Sequence, residues 1–236
     1  MAVPSLAHRI FRKELMDQPG LNPVEHIRAL DGLHRLNAVS RICQHVWRQV
    51  RSHTDVRTGA RLRLLDIASG GGDVTFGLWK LARRGGVELE ILGLDVSATA
   101  CAQAARRCRA AGKSISFASM DVLSADLPGE FDVVISTLFL HHLTSPDAAH
   151  LLSKMAAAGN LVVISDLRRS RVGYAVAYVA CHLLTRSKMV HHDGPQSVAN
   201  AFTIPEMNAL CQSAGLENAI VRRDWPWRLM VVNRGR

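Results

Sequence analysis

The sequence predicts an α/β fold, a doubly wound sheet of parallel strands, on three observations. Short apolar runs near 63–68, 87–94, 114–118, 131–136 and 160–165 alternate with helical patterns near 73–84, 97–111 and 145–158. Such alternation implies right-handed crossovers and a parallel sheet covered on both faces. The first run, Leu64-Leu65-Asp66-Ile67-Ala68, leads at once into three glycines, Gly70 to Gly72. The second, Leu89–Leu94, ends in Asp95, and an acid at that strand tip is placed to accept hydrogen bonds from ribose hydroxyls.

Ahead of the sheet, Asn22-Pro23 reads as a cap followed by a first-turn proline. Leu33, Leu36, Ser40, Cys43, Trp47 and Val50 then form a stripe at helical spacing, predicting a helix from about 23 to 50 with Ser40 as its one polar member. After the first strand, Asp73 is the expected N-cap of the Val74–Ala82 pattern. The glycines let the backbone of that turn approach a ligand closely. Reading from Gly70, Thr75 stands where a dinucleotide fingerprint needs its third glycine, and no Lys-Ser/Thr follows to grip a phosphate. The loop therefore suits a nucleoside-containing cofactor without phosphates.

With these residues the chain resembles the class I S-adenosylmethionine-dependent methyltransferases, over roughly residues 63–166. The first family motif, Asp-x-Gly-x-Gly-x-Gly, is matched by Asp66, Gly70 and Gly72, with Ala68 at the first glycine, tolerable there at negative φ. The resemblance implies S-adenosyl-L-methionine as cofactor, with Asp95 on the ribose and Val96 beside it. In Ser119-Met120-Asp121-Val122 it implies Asp121 accepting from the adenine amino group and Met120 and Val122 sandwiching the ring. Phe131–Ser136 matches the fourth strand, with Ser136 at its cofactor end. The family's sheet has seven strands and an antiparallel last strand, here implied in a hairpin of Glu217–Arg223 and Arg228–Val232 around Asp224-Trp225-Pro226-Trp227.

Length and hydrophobic content suit one domain. It is expected to comprise a helical cap (1–60), a cofactor-binding core (63–166), a helical lid insertion (167–202) and a closing helix and hairpin (203–236). Five scattered cysteines, with no C-x-x-C pair, read as reduced thiols of a cytoplasmic protein. No signal-peptide pattern opens the chain, and the apolar run Val172–Leu184 is too short to span a bilayer. The net charge of +9 favours anionic partners or a merely solvated arginine-rich surface. Against nucleic acid stand the lack of a recognisable binding module and the sequence Ser136-Thr137-Leu138-Phe139, where base-amine methyltransferases carry Asn/Asp-Pro-Pro-aromatic.

The insertion begins basic (Arg168, Arg169, Arg171), turns apolar through Val172–Leu184, and is basic again at Arg186 and Lys188. Three readings stand: a hydrophobic lid over an apolar acceptor, a plain packing helix, or an interfacial helix in peripheral contact with a membrane. Methyl transfer also needs a proton removed from a hydroxyl or an activated carbon, which suits histidine near neutral pH. Two pairs qualify, His141-His142 after the fourth strand and His191-His192 in the insertion, and each could equally be structural. The expectation is a base at His141 or His142 assisted by His191 or His192, with Asp166 a further base, an orienting group or an N-cap. No carboxylate sits at helical spacing beside either pair, so no metal site is expected. The expected acceptor is a small, largely apolar phenol, quinone precursor or polyketide-like compound. The alternatives are a nucleic-acid methyltransferase and a non-catalytic cofactor-binding protein.

Overall fold

A computed structural model describes residues 6–17 and 20–235. Seven strands form one sheet: β1 (Arg61–Ile67), β2 (Glu88–Asp95), β3 (Ile115–Ser119), β4 (Phe131–Thr137), β5 (Gly159–Leu167), β6 (Ile220–Asp224) and β7 (Arg228–Arg234). Their order is β3-β2-β1-β4-β5-β7-β6, parallel from β3 to β5, with β7 antiparallel to both β5 and β6. The order reverses between β1 and β4, so a crevice for ligand opens at their carboxyl ends. Pairing of Ile67 with Leu94 and of Asp95 with Ser119 brings the tips of β1, β2 and β3 side by side.

Alternation along β1 feeds two cores. Leu65 and Ile67 face α5 (Ser145–Ala158) and α8 (Ile204–Ser213), packing with Leu151, Leu152, Met155 and Met207. Leu64 faces the other way, into a cluster with Val46, Val50 and Leu78 of α2 (Ile42–His53) and α3 (Asp73–Arg84). Period-two burial on both faces is the packing of a covered parallel sheet. The second crossover helix, α4 (Ala98–Arg107), is capped by the Ser97 hydroxyl, and Gly112, at φ 58°, turns the chain into β3.

Ahead of the sheet the expected single helix is two, α1 (Pro23–Val39) and α2, broken at Arg41 with φ 53°. Asn22 caps α1 as expected, its side chain accepting from Val24 N at 2.9 Å. The break follows from Ser40. Its buried hydroxyl donates to the Asn37 carbonyl (3.1 Å) and accepts from Arg228 Nη2 (2.8 Å), so it competes with the helical ladder. The insertion forms two helices, α6 (Arg171–Leu184) and α7 (Lys188–Asn200), with Pro195 inside the second. They pack on each other and on α1 through a small cluster of Ala29, Cys181 and Val190.

Two local expectations are corrected at the glycine turn. Asp73 is the first residue of α3 and not its cap; Gly72, at φ 70°, holds the cap position, and Asp73 accepts instead from Asn37 Nδ2 at 2.9 Å. Ala68 does not keep a negative φ but sits at φ 56°, in the left-handed region where a Cβ is costly. Ala68→Gly is therefore expected to stabilise the protein by about 0.5–1 kcal/mol, net of the added freedom of the unfolded chain. The check is a higher urea midpoint at unchanged m-value.

Candidate active site

The cofactor end is built on the tips of β1 and β2. Gly70 N donates to Asp95 Oδ2 at 2.8 Å and Ser97 N to Asp95 Oδ1 at 2.9 Å, so one carboxylate ties the glycine turn to the second strand. Burial pushes the Asp95 carboxyl above its usual range. At Gly70, φ is 53° and no heavy atom lies within 4 Å of where a Cβ would stand, leaving room for a ligand. Gly72 differs: a Cβ there would meet Ala104 Cβ at 2.8 Å, so its smallness serves the packing of α3 on α4.

Asp66 is fully buried, accepts from Thr75 Oγ1 at 2.6 Å, and has its other oxygen without a partner. Burial pushes its carboxyl up to about 7. Val96 follows Asp95 on the surface, 72% exposed. Met120 is half-buried, its N–H bonded to the Asp95 carbonyl at 2.9 Å, and Asp121 is exposed, accepting from Leu123 N at 3.0 Å. Val122 and Ser136 depart from expectation. Val122 is 5% exposed within the main core, so Met120 is the member of that pair left open to a ligand. Ser136 is buried and gives its hydroxyl to the Ile67 carbonyl at 3.3 Å.

The acceptor end lies after β4. A short turn, Leu140–His142, sets two histidines in the wall of a cavity of about 340 Å³ lined largely by apolar groups, among them Leu33, Leu36, Leu138, Val176, Leu184 and Trp227. His141 is buried; its Nδ1 lies 2.6 Å from Asp166 Oδ1 and its backbone N 3.0 Å from Asp166 Oδ2. Burial alone would raise Asp166, but the His141 ring outweighs it and holds the carboxyl below its usual range. An ionised Asp166 fixes the proton on Nδ1 and leaves Nε2 as an acceptor. Asp166 is thus the orienting group among its three expected roles.

His142 is anchored in parallel, its Nδ1 2.8 Å from Asp17 Oδ2. Burial opposes its charge, yet Asp17 and Glu14 more than compensate and raise the imidazole to about 9. Both Nε2 atoms face Glu14, each 3.8 Å from one of its oxygens. Burial raises the Glu14 carboxyl, whose Oε1 also accepts from Ser197 Oγ at 2.7 Å. Glu14, His141 and His142 offer donor atoms within 4.8 Å of one another, a set that could hold a divalent cation.

Glu14 and Asp17 come from an N-terminal strap that sequence reasoning missed. Asp193 of α7 holds it, accepting from Leu15 N and Met16 N at 3.0 Å each. Arg9 adds a clamp, donating to the carbonyls of Leu143 (2.6 Å) and His141 (3.2 Å). The only local signal was an acid beside a histidine pair already suspected, too weak to join positions so far apart. The insertion's own histidines are not brought to the site. The His192 side chain is 59% exposed and bonded to Asp193, and His191 Nε2 meets the Thr185 carbonyl at 2.8 Å. Glu14, and not His192, is the residue that stands beside His141 and His142.

Comparison with known proteins places the chain in a family. The methyltransferase-domain family profile matches residues 64–159. The ubiquinone biosynthesis O-methyltransferase of Methylococcus capsulatus is 30% identical over 175 residues, 72% of this chain and 68% of the relative. The chain spans about two thirds of the length of such curated relatives. The structure of human N-acetylserotonin methyltransferase in complex with SAM superposes with a TM-score of 0.64 at 16% identity, covering 95% of this chain and 63% of that one. Magnesium protoporphyrin IX methyltransferase from Synechocystis, solved with SAH bound, gives 0.56 at 16% identity, covering 93% and 90%. The chain belongs to the class I S-adenosylmethionine-dependent methyltransferases. It is a methyltransferase, and its cofactor is S-adenosylmethionine. The open space at Gly70, the half-buried Asp95 and the unpaired Asp66 oxygen fit that group.

Two outcomes follow. Asp95→Ala removes both the ribose acceptor and the tie to Gly70, so cofactor affinity should fall at least about tenfold, a charged hydrogen bond being worth about 1.5–3 kcal/mol. Calorimetric affinity equal to wild type would remove Asp95 from the site. The raised His142 favours the protonated native state, so its contribution is complete below the unfolded value of 6.5 and is lost as pH rises through about 9. Thermal stability should therefore decline across that window, and Asp17→Asn should flatten the decline.

Proposed function

We propose that the protein transfers the methyl group to a small, largely apolar acceptor bearing an acidic hydroxyl or an activated ring carbon, with His141 as the base. Phenols, quinone precursors and polyketide-like compounds have this chemistry. The observation that carries the reading is an Asp166-oriented imidazole lining a largely apolar cavity. The name of the Methylococcus relative, a ubiquinone biosynthesis O-methyltransferase, points the same way.

Bound S-adenosylmethionine supplies an electrophilic methyl group, and methyl transfer is an in-line displacement whose rate depends on alignment. The residues that would hold it are Asp66, Gly70, Asp95, Val96, Met120 and Asp121. Asp166 keeps the His141 ring in one tautomer and one orientation, so Nε2 is free to take the acceptor's proton. His142, raised to about 9, is an imidazolium at neutral pH. Lining the same cavity, it lowers the cost of an oxyanion on the acceptor. Leu33, Leu36, Leu138 and Leu184 exclude water and favour an apolar ring.

Labelled cofactor incubated with a panel of phenols, quinones, lipids and RNA, followed by mass spectrometry of products, identifies the acceptor. Methylation of RNA with no small phenol or quinone modified would overturn the reading. His141→Gln should lower turnover by about 10²–10⁴ with cofactor affinity unchanged. Full activity in that variant and in His142→Gln would return both rings to structural roles.

A further inference from the structure

Helix α6 presents two apolar faces. Val176, Ala177, Ala180 and Leu184 line the acceptor cavity. On the outside, Val172, Val176, Val179 and Leu183 recur at helical spacing along a shallow groove, with Val179 54% and Leu183 78% exposed. The two faces adjoin, and Val176, Ala180 and Leu184 border both the cavity and the outer groove. No acidic residue occurs from Leu167 to His192, whereas Arg168 and Arg171 stand at the start of α6 and Arg186 and Lys188 beyond its end. Arg171, Arg186 and Lys188 are exposed, while Arg169 is committed to Glu206. The turn between β6 and β7 flanks the same helix: a Cβ on Gly173 would lie 3.3 Å from Trp227 Cβ, and Trp225 and Trp227 are both open to solvent.

We propose that α6 is a docking surface for an anionic lipid bilayer. It lies in the membrane plane, with Val172, Val176, Val179 and Leu183 at the acyl boundary. Arg171, Arg186, Lys188 and the two tryptophans sit at headgroup level. An exposed aliphatic stripe, basic residues at both ends and amphipathic aromatic rings are the elements of an interfacial helix. Charge chooses the occupant. A second copy of this chain on the stripe would set like-charged helix ends together with no acid to receive them, whereas anionic headgroups complement them. Attachment is peripheral, because no helix among the described residues is long and apolar enough to cross a membrane. The surface would turn the outer wall of the acceptor cavity toward the bilayer, the phase in which an apolar acceptor concentrates. Lipid binding is measured without acceptor, so its failure and the failure of the acceptor reading are separate results.

The test is co-sedimentation of the full chain with vesicles of phosphatidylcholine alone and of equal parts phosphatidylcholine and phosphatidylglycerol, with sedimentation velocity in their absence. The expected result is binding to the anionic vesicles only, reduced several-fold by added salt, since screening shortens the Debye length below its physiological value of about 8 Å. The double variant V179E/L183E should lower partitioning at least about tenfold, a loss of roughly 1.4 kcal/mol. R186E/K188E should act in the same direction. None of these side chains lines the cavity, so cofactor affinity and melting temperature should match wild type. No binding, equal binding to neutral vesicles, or variants that bind as wild type would overturn the proposal. So would a wild-type dimer that V179E/L183E converts to monomer, which would assign the face to a second copy.

Discussion

The acceptor end depends on one buried carboxylate. Asp166, at the tip of β5, accepts from His141 N, His141 Nδ1 and Leu167 N at 3.0, 2.6 and 2.7 Å. An unpaired carboxylate at such depth would cost several kcal/mol. Here three donors satisfy it, and the cations of Arg9 and Arg228 lie within electrostatic reach, each held near 10 by its own burial. The same contacts join β5 to the turn that follows β4, so the carboxylate that positions the imidazole also holds that turn against the sheet's carboxyl edge. Losing it would release the turn carrying both histidines.

A second carboxylate does comparable work at the cofactor end. Asp95 holds the glycine turn through Gly70 N and starts α4 through Ser97 N. The two ends are nevertheless built differently. Strand pairing fixes the cofactor end, because Asp66, Asp95 and Ser119 stand in adjacent registered strands. The acceptor end is assembled from a strap, a turn and two helices joined by side chains: Asp193 to Leu15 and Met16, Ser197 to Glu14, Arg9 to Leu143. A change of acceptor can therefore be built into the second set without disturbing the ladder that carries the first.

That difference explains what could be read in the sequence. Strands, crossover helices, the Asn22 cap and Asp95 declare themselves through periodicity and turn chemistry, which act over a few residues. The break at Ser40 was hidden because its cause is Arg228, on the last strand. Ala68 was legible as a departure from the motif, but not the sign of its φ, which the closure of the turn imposes. Asp73 looks like a cap on local grounds, and only the contact with Asn37 shows otherwise. His192 stands out only by its neighbours in sequence, whereas Glu14 reaches the site through a fold-level contact that no spacing rule encodes.

Helix α6 itself contributes little to the fold. Of its residues only Gly173 and Cys181 are buried, and the cluster joining it to α1 and α7 has three buried members against more than twenty in each main core. Local opening free energies follow such differences in buried apolar contact, so this element sits at the low end of the molecule's range. An apolar acceptor in the cavity would add contacts to the inner face of α6, at roughly 25 cal/mol for each Å² removed from water. Acceptor and helix would then order one another. A wall that is only lightly held can part to admit a ligand and close around it, while Asp166 and the paired strands keep His141 and the cofactor turn in register.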